Sequence, residues 1–219
     1  MIPDRPGHGA SLATGRGDDA EKDSLWVADM LEDGAHLVGH SFGGLVALLT
    51  AASHPSSIHS LTLIEPALHK IAIRDPAVCG FVFNMAFTML TSFSAATRAR
   101  RAMKLLGIPK GSFDRDDAEI ARMGTALTRG RFPDRAQMEE ALATIKRAAV
   151  PLLVISSGSN SAFMATGAIA AKAGGGKHVI APADHHFPQW NTETFNPLLE
   201  NFWKSSAKLE RVKGIEPSS

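Results

Sequence analysis

The stretch GHSFG, residues 39–43, places a serine between two glycines and lies between two apolar segments. Residues 35–38 are short and apolar, as expected of a buried parallel strand, and residues 43–52 are small and apolar enough to form a buried helix. A serine at such a junction must occupy a very tight turn that projects its hydroxyl above the sheet. Small flanking residues let the two backbones approach each other. The pattern therefore predicts Ser41 as a nucleophile.

The same turn predicts how a developing negative charge would be held. The N–H of Phe42 and the positive end of the following helix would lie next to the oxygen of a tetrahedral intermediate. His40 directly precedes the serine. Phe42 and His40 are therefore the predicted oxyanion and substrate-binding residues, although His40 need not react.

The remainder of the chain alternates predicted strands and helices. Apolar runs at 60–64, 151–155 and 177–180 are typical of strands. Their order predicts an α/β protein with a mostly parallel sheet flanked by helices, and the long amphipathic region after the second strand indicates a helical cap. The predicted divisions are a core of residues 1–66 and 150–205, a cap of residues 67–149 and a disordered tail of residues 206–219.

The loop DHHFP, residues 184–188, follows the last predicted strand. Ligands of open parallel sheets bind at the carboxyl ends of the strands, so this loop would lie at the same edge as Ser41. A serine hydroxyl needs a base, and histidine has an unperturbed pKa near neutrality. The alternative is a pair of surface histidines. His186 is preferred to His185 as the base because an apolar residue follows it directly.

The acid of a Ser–acid–His arrangement is harder to place. No carboxylate occurs between Pro151 and Ala183, where the loop after the third strand would supply one. Glu65 ends the neighbouring strand on the same side of the sheet and could orient the imidazole. The alternative is that Glu65 pairs with an arginine or caps a helix. Asp184 is too close in sequence to His186 to orient it well.

Composition excludes several classes of protein. Of 219 residues, 44% are apolar and 21% charged, and a net charge of +1 does not indicate binding to nucleic acid or to a membrane surface. The apolar stretch 79–93 is too short to span a bilayer, and no signal peptide or internal disulfide is expected, so we predict a cytoplasmic protein. Without a P-loop, a dinucleotide fingerprint or zinc-ligand spacing, no cofactor and no metal are predicted.

Several segments together resemble the α/β-hydrolase fold family. Residues 4–9, DRPGHG, resemble the loop after the fourth strand of these enzymes, and residues 35–44 resemble the fifth strand and the nucleophile elbow, GHSFGG. Residues 61–66 and 151–155 resemble the sixth and seventh strands, and residues 177–188 the eighth strand with its histidine loop. The resemblance covers about residues 1–205.

The resemblance implies a hydrolase that acts on an ester, a thioester or a similar carbonyl substrate through a serine acyl-enzyme. A serine at position 41 argues against epoxide hydrolases and dehalogenases, whose nucleophile is aspartate, and some members carry their acid after the sixth strand, which supports Glu65. An acyltransferase or a haloperoxidase of the same fold is an alternative. The apolar residues of the cap indicate a small-molecule substrate that is itself apolar.

Members of the family carry three strands before the one that this chain begins with, and a loop that supplies a second oxyanion donor. We therefore expect a fold that lacks its first three strands, in other words an N-terminally truncated hydrolase. Loss of one oxyanion donor lowers the rate by about a hundred- to a thousandfold. A weakly active or inactive protein of this fold is thus a further alternative.

Overall fold

The computed structural model describes residues 1–8, 11, 17–112 and 116–212, and for 207–212 it describes the backbone alone. Within these residues the strands form one parallel sheet in the order β1-β2-β3-β4. The prediction of an α/β protein with a parallel sheet flanked by helices is confirmed. The strands are β1 (Ala35–His40), β2 (Ile58–Ile64), β3 (Leu152–Ser156) and β4 (Lys177–Ile180).

Six of the described helices begin directly after a polar side chain that accepts hydrogen bonds from the first turn. These capping residues are Asp19, Asp75, Ser94, Asp116, Asp134 and Asn160. Helix α2 differs, because Ser41, which precedes it, makes no such side-chain hydrogen bond. The helices are α1 (Ala20–Ala28), α2 (Phe42–Ser53), α3 (Pro76–Thr91), α4 (Ala95–Leu105), α5 (Asp117–Arg129), α6 (Arg135–Arg147), α7 (Ser161–Gly174) and α8 (Thr192–Val212), with 3-10 turns at Pro55–Ser57, His69–Ala72 and Pro188–Trp190.

The main hydrophobic core lies between the sheet and helices α2, α6 and α7. Every residue of β3 is buried, as is nearly all of β2, which explains why both strands are continuous apolar runs in the sequence. This packing holds the carboxyl ends of the strands in a fixed arrangement, and the candidate site is built at those ends.

The region predicted as a cap contains helices α3 to α6. Helices α4 and α5 pack closely on each other, whereas α6 packs on α2 and α7 and places Met138, Leu142 and Ile145 in the main core. The predicted cap boundary at residue 149 thus includes a helix that packs with the core. An amphipathic pattern shows that a helix buries one face, but it does not show which partner covers that face.

The last helix differs from the prediction of a disordered tail over 206–219. Helix α8 continues to Val212, and Ser206 is buried with its hydroxyl donating to the carbonyl of Phe202. Residues 213–219 lie outside the described part of the chain. None of the described helices is long and apolar enough to cross a membrane.

Candidate active site

Ser41 lies in a backbone conformation that non-glycine residues rarely adopt, with φ 53° and ψ −119°. Its N–H donates to the carbonyl of Ile64 at 2.9 Å, and its carbonyl accepts from the N–H groups of Gly44 at 3.0 Å and Ala67 at 3.1 Å. The end of β2 and the residues after it therefore hold the turn between β1 and α2 in its strained form.

The glycines around Ser41 play unequal parts in this turn. A Cβ atom at Gly39 would overlap the carbonyl group of Gly43, so only glycine fits at position 39. A Cβ at Gly44 would lie 3.1 Å from the carbonyl oxygen of Gly39 and 3.3 Å from the Cβ of Pro66. A Cβ at Gly43 would meet no atom within 4 Å. The close approach of the two backbones therefore requires the absence of a side chain at Gly39 but not at Gly43.

Phe42 is the first residue of α2, so its N–H belongs to the first turn, where donors have no partner within the helix. Its ring is held from two sides. The ring of Phe132, from the segment between α5 and α6, packs edge-on at 5.3 Å, and the guanidinium of Arg5 lies 4.6 Å from the ring centroid. Arg5 in turn pairs with Asp18 at 3.2 Å and with the buried Asp23 at 2.9 Å.

The ring of His186 is almost fully buried, with 3% of the residue exposed. Burial, reinforced by repulsion from His40, His69 and His185, lowers its pKa to about 3. Its Nε2 atom is buried and has no hydrogen-bond partner. The ring packs against those of Phe163 at 4.6 Å and His40 at 4.7 Å. At neutral pH the imidazole is therefore uncharged.

His40, the last residue of β1, joins the nucleophile turn to the histidine loop. Its Nε2 lies 2.9 Å from the main-chain carbonyl oxygen of His186, and its ring also contacts that of Phe187 at 5.2 Å. Burial lowers the pKa of His40, an effect that the hydrogen bond to His186 opposes. The structure thus brings His186 next to the residue that precedes Ser41, but no hydrogen bond joins the side chains of Ser41 and His186.

The structure places Glu65 at the end of β2 but gives it a different partner from the one predicted. Its carboxylate accepts a hydrogen bond from the N–H of Ser157, its other oxygen is buried without a partner, and no hydrogen bond links it to His186. Burial raises the pKa of Glu65, partly offset by its hydrogen bonds from Ser157. Among the described residues, no carboxylate is hydrogen-bonded to the ring of His186.

The model of a family described as "Alpha/beta hydrolase family" matches residues 1–198. The chain belongs to this family. The acetyltransferase component of the acetoin cleaving system of Cupriavidus necator is 26% identical over 211 residues, which cover 90% of this chain and 54% of that protein. The pimeloyl-[acyl-carrier protein] methyl ester esterase of Neisseria meningitidis serogroup A is 29% identical over 164 residues, which cover 72% of this chain and 52% of the esterase. The chain spans about half the length of these curated relatives.

Solved structures agree with the family assignment at the level of the fold. MenH from S. aureus superposes with a TM-score of 0.62 at 17% identity, covering 93% of this chain and 82% of MenH. A hydrolase from Pseudomonas aeruginosa gives a TM-score of 0.57 at 23% identity, covering 91% of this chain and 77% of that one. At these identities the likeness shows the fold alone.

Two further contacts of this alpha/beta hydrolase family member were not predicted from its sequence. The N–H of His186 donates to the carbonyl of Gly107, at the end of α4, at 3.2 Å. His69 is partly buried beside Phe163, with its Nδ1 atom 3.0 Å from the hydroxyl oxygen of Thr166, and desolvation lowers its pKa to about 4. No sequence pattern marks these pairs, because their members are far apart in the chain.

The apolar residues of the cap fall into two groups in this family member. Phe81 packs on Phe163, which itself contacts His186, so part of α3 approaches the candidate site. Phe83 and Phe87 are exposed instead. A cavity of about 630 Å³ lies elsewhere, between the start of α1 and the segment that joins α5 to α6. Phe132 lines it, but Ser41 and His186 do not. Within the described part of the chain, no cluster of His, Cys, Asp or Glu is arranged to hold a metal ion.

Proposed function

We propose that this chain is a serine hydrolase that cleaves an ester, a thioester or a similar carbonyl compound through an acyl-enzyme on Ser41. The observation that carries this proposal is the strained backbone of Ser41 at the junction of β1 and α2. Strain of this kind is typical of functional residues, because it persists only where the surrounding structure enforces it. Membership of the family and the esterase named among the relatives support the same reaction class.

In the proposed mechanism the Ser41 hydroxyl oxygen attacks the carbonyl carbon of the substrate while Nε2 of His186 takes the hydroxyl proton. The carbonyl electron pair moves onto its oxygen, next to the N–H of Phe42. Collapse of this intermediate expels the leaving group, which receives the proton from His186. A water molecule then attacks the acyl carbon and gives one proton to His186. Collapse of this second intermediate breaks the bond to the Ser41 oxygen, which takes that proton back from His186 as the acid leaves.

The environment of His186 sets its strength as a base. Because its pKa is lowered to about 3, the ring is neutral and able to accept a proton at neutral pH. The same environment stabilises the resulting cation poorly, since the neighbouring titratable groups are the histidines 40, 69 and 185. We therefore infer a slow hydrolase whose base is oriented by contacts other than a carboxylate.

Glu65 enters this proposal as a structural residue. Its hydrogen bond from Ser157 connects the end of β2 to the loop after β3, and both segments border the site. A role as the acid of a triad would require the carboxylate to leave Ser157 and turn toward His186. The observed geometry favours a role in holding the loop.

The proposal is tested by labelling the purified chain with a fluorophosphonate and measuring intact mass, beside Ser41→Ala and the control Ser53→Ala. Ser53 is an exposed serine at the end of the same helix. We expect one adduct on the unaltered chain and on Ser53→Ala, and none on Ser41→Ala. A folded chain that stays unlabelled would contradict the proposal and favour an inactive protein of the same fold.

A second candidate function is acyl transfer to an acceptor other than water. The relative from C. necator, of which this chain covers about half, is named as an acetyltransferase component. The two reactions share the acyl-enzyme and differ in the second step. Once an activated ester is found that acylates Ser41, adding alcohols and thiols and identifying the products distinguishes hydrolysis from acyl transfer.

We propose that the acyl group of the substrate is small and apolar. Phe81 of α3 packs on Phe163, which lies beside His186, so this side of the candidate site is apolar.

A further inference from the structure

The hydrogen bond between His40 and His186 joins residues that are 146 positions apart. One partner is the side chain that directly precedes the proposed nucleophile, and the other is the main chain of the proposed base. A carbonyl oxygen can only accept, so Nε2 of His40 must carry the proton and donate it.

We propose that His40 is a positioning residue, whose ring fixes the main chain of His186 relative to Ser41. This inference rests on the proposed serine hydrolase and adds to it the means by which the base is oriented. Without this hydrogen bond, His40 at the end of β1 would contact the loop after β4 only through the packing of its ring.

The polar contacts of His186 explain why a positioning residue is needed. Its Nε2 atom has no hydrogen-bond partner, and among the described residues no carboxylate is hydrogen-bonded to the ring. Both of its main-chain polar groups are held instead: the N–H donates to Gly107 at 3.2 Å, and the C=O accepts from His40 at 2.9 Å. The direction of the ring is therefore set by the main chain and by packing against Phe163 and His40.

This role differs from the one predicted from the sequence, where His40 was placed among the oxyanion and substrate-binding residues. The Nε2 proton is committed to the carbonyl of His186 and is not available to an oxyanion. The ring is also wedged between those of His186, at 4.7 Å, and Phe187, at 5.2 Å. A displacement of a reacting group by about 1 Å can lower the rate about a hundredfold.

The test compares three variants by their second-order rate of fluorophosphonate labelling across the acidic and neutral pH range, together with thermal unfolding. His40→Gln keeps an N–H donor, His40→Leu removes it, and His36→Gln is a matched control on the same strand. We expect His40→Leu to lose about a hundredfold in rate and His40→Gln to recover to within about tenfold of the unaltered chain. His36→Gln should label at the unaltered rate.

The pH profile supplies a readout that a change in overall stability would not move. The titratable groups that face His186 are His40 from β1, His69 from the 3-10 turn after β2, and His185 from its own loop. Both His40 variants remove one histidine, so their difference isolates the hydrogen bond. In His40→Leu the released ring reaches water, its pKa rises toward 6.5, and the acid limb of the profile moves to higher pH than in His40→Gln.

The outcomes separate this inference from the proposal on which it rests. An unlabelled but folded unaltered chain overturns both. A labelled chain in which His40→Leu retains the unaltered rate and profile overturns the role of His40 alone, and so does His40→Gln falling as far as His40→Leu. If His40→Leu does not fold, His40→Phe, which keeps a ring but no N–H donor, replaces it with the same expectation.

Discussion

The carboxylate of Glu65 accepts a hydrogen bond from the N–H of Ser157 and makes none to His186, although both residues lie at the carboxyl end of the sheet. Glu65 is also nearly fully buried, and its backbone has a positive φ of 43°. Through this hydrogen bond the carboxylate joins the segment after β2 to the loop after β3. The side-chain amide oxygen of a glutamine can accept the same hydrogen bond.

We therefore predict that Glu65→Gln labels with fluorophosphonate at a rate within about tenfold of the unaltered chain. Glu65→Leu, which cannot accept the hydrogen bond, should unfold at a lower temperature. Removing the acid of a Ser–His–acid triad lowers the rate about ten-thousandfold. A loss of that size in folded Glu65→Gln would restore Glu65 as the acid.

Two neighbouring glycines provide a matched pair for testing the turn around Ser41. We predict that Gly39→Ala is destabilised by at least about 3 kcal/mol, because its Cβ would overlap main-chain atoms of Gly43 that cannot move without opening the turn. Gly43→Ala, whose Cβ meets no atom within 4 Å, should be neutral or up to about 1 kcal/mol more stable, since alanine favours a helix. Denaturant unfolding measures both, and equal effects would contradict the close approach.

The lowered pKa of His69 lets us predict how the free energy of unfolding depends on pH. Burial lowers the pKa of His69 to about 4 from 6.5, so the unfolded chain binds a proton more readily than the folded one. The free energy of unfolding should be highest above pH 6.5 and should fall as the pH decreases toward the folded value. Between pH 6.5 and the folded pKa of His69, protonation of this residue alone lowers the free energy of unfolding by at most on the order of 3 kcal/mol.

The check is the slope of unfolding free energy against pH for the unaltered chain, His69→Leu and the exposed control His54→Leu. We expect a shallower slope below pH 6.5 in His69→Leu and an unchanged one in the control. His186 titrates in the same direction, and Glu65, whose pKa is raised, acts in the opposite one. Removing His69 also removes its repulsion of His186, which makes the slope shallower in the same sense. Identical slopes would mean that His69 is not buried as described.

Local patterns in the sequence were sufficient to predict much of the fold. Strand β4 begins and ends at the residues expected, and the apolar run before Gly39 forms β1. These features depend on neighbours within a few positions, where apolar periodicity and glycine placement carry the information. The serine at the junction of β1 and α2 could be located for the same reason.

The partners of the site residues could not be predicted in this way. The order of strands places Glu65, Ser41 and His186 at one end of a sheet, but it does not say whether a carboxylate turns toward a histidine or toward a backbone N–H. The contact of His40 with His186 has no local signature in the sequence. It joins the end of β1 to the loop after β4, and these two strands are not neighbours in the sheet. Such contacts depend on side-chain rotamers and loop paths, which no periodicity encodes.

The backbone of Ser41 also has a consequence for how this position can change over generations. Glycine adopts positive φ freely, so Ser41→Gly should relieve strain on the order of 1–3 kcal/mol, less the entropy that glycine loses on folding. A chain without use for the hydroxyl would therefore tolerate glycine here at no loss of stability. Under the proposed function, serine at this position costs stability and supplies the reactive hydroxyl, so Ser41→Gly would remove the activity and leave the fold intact.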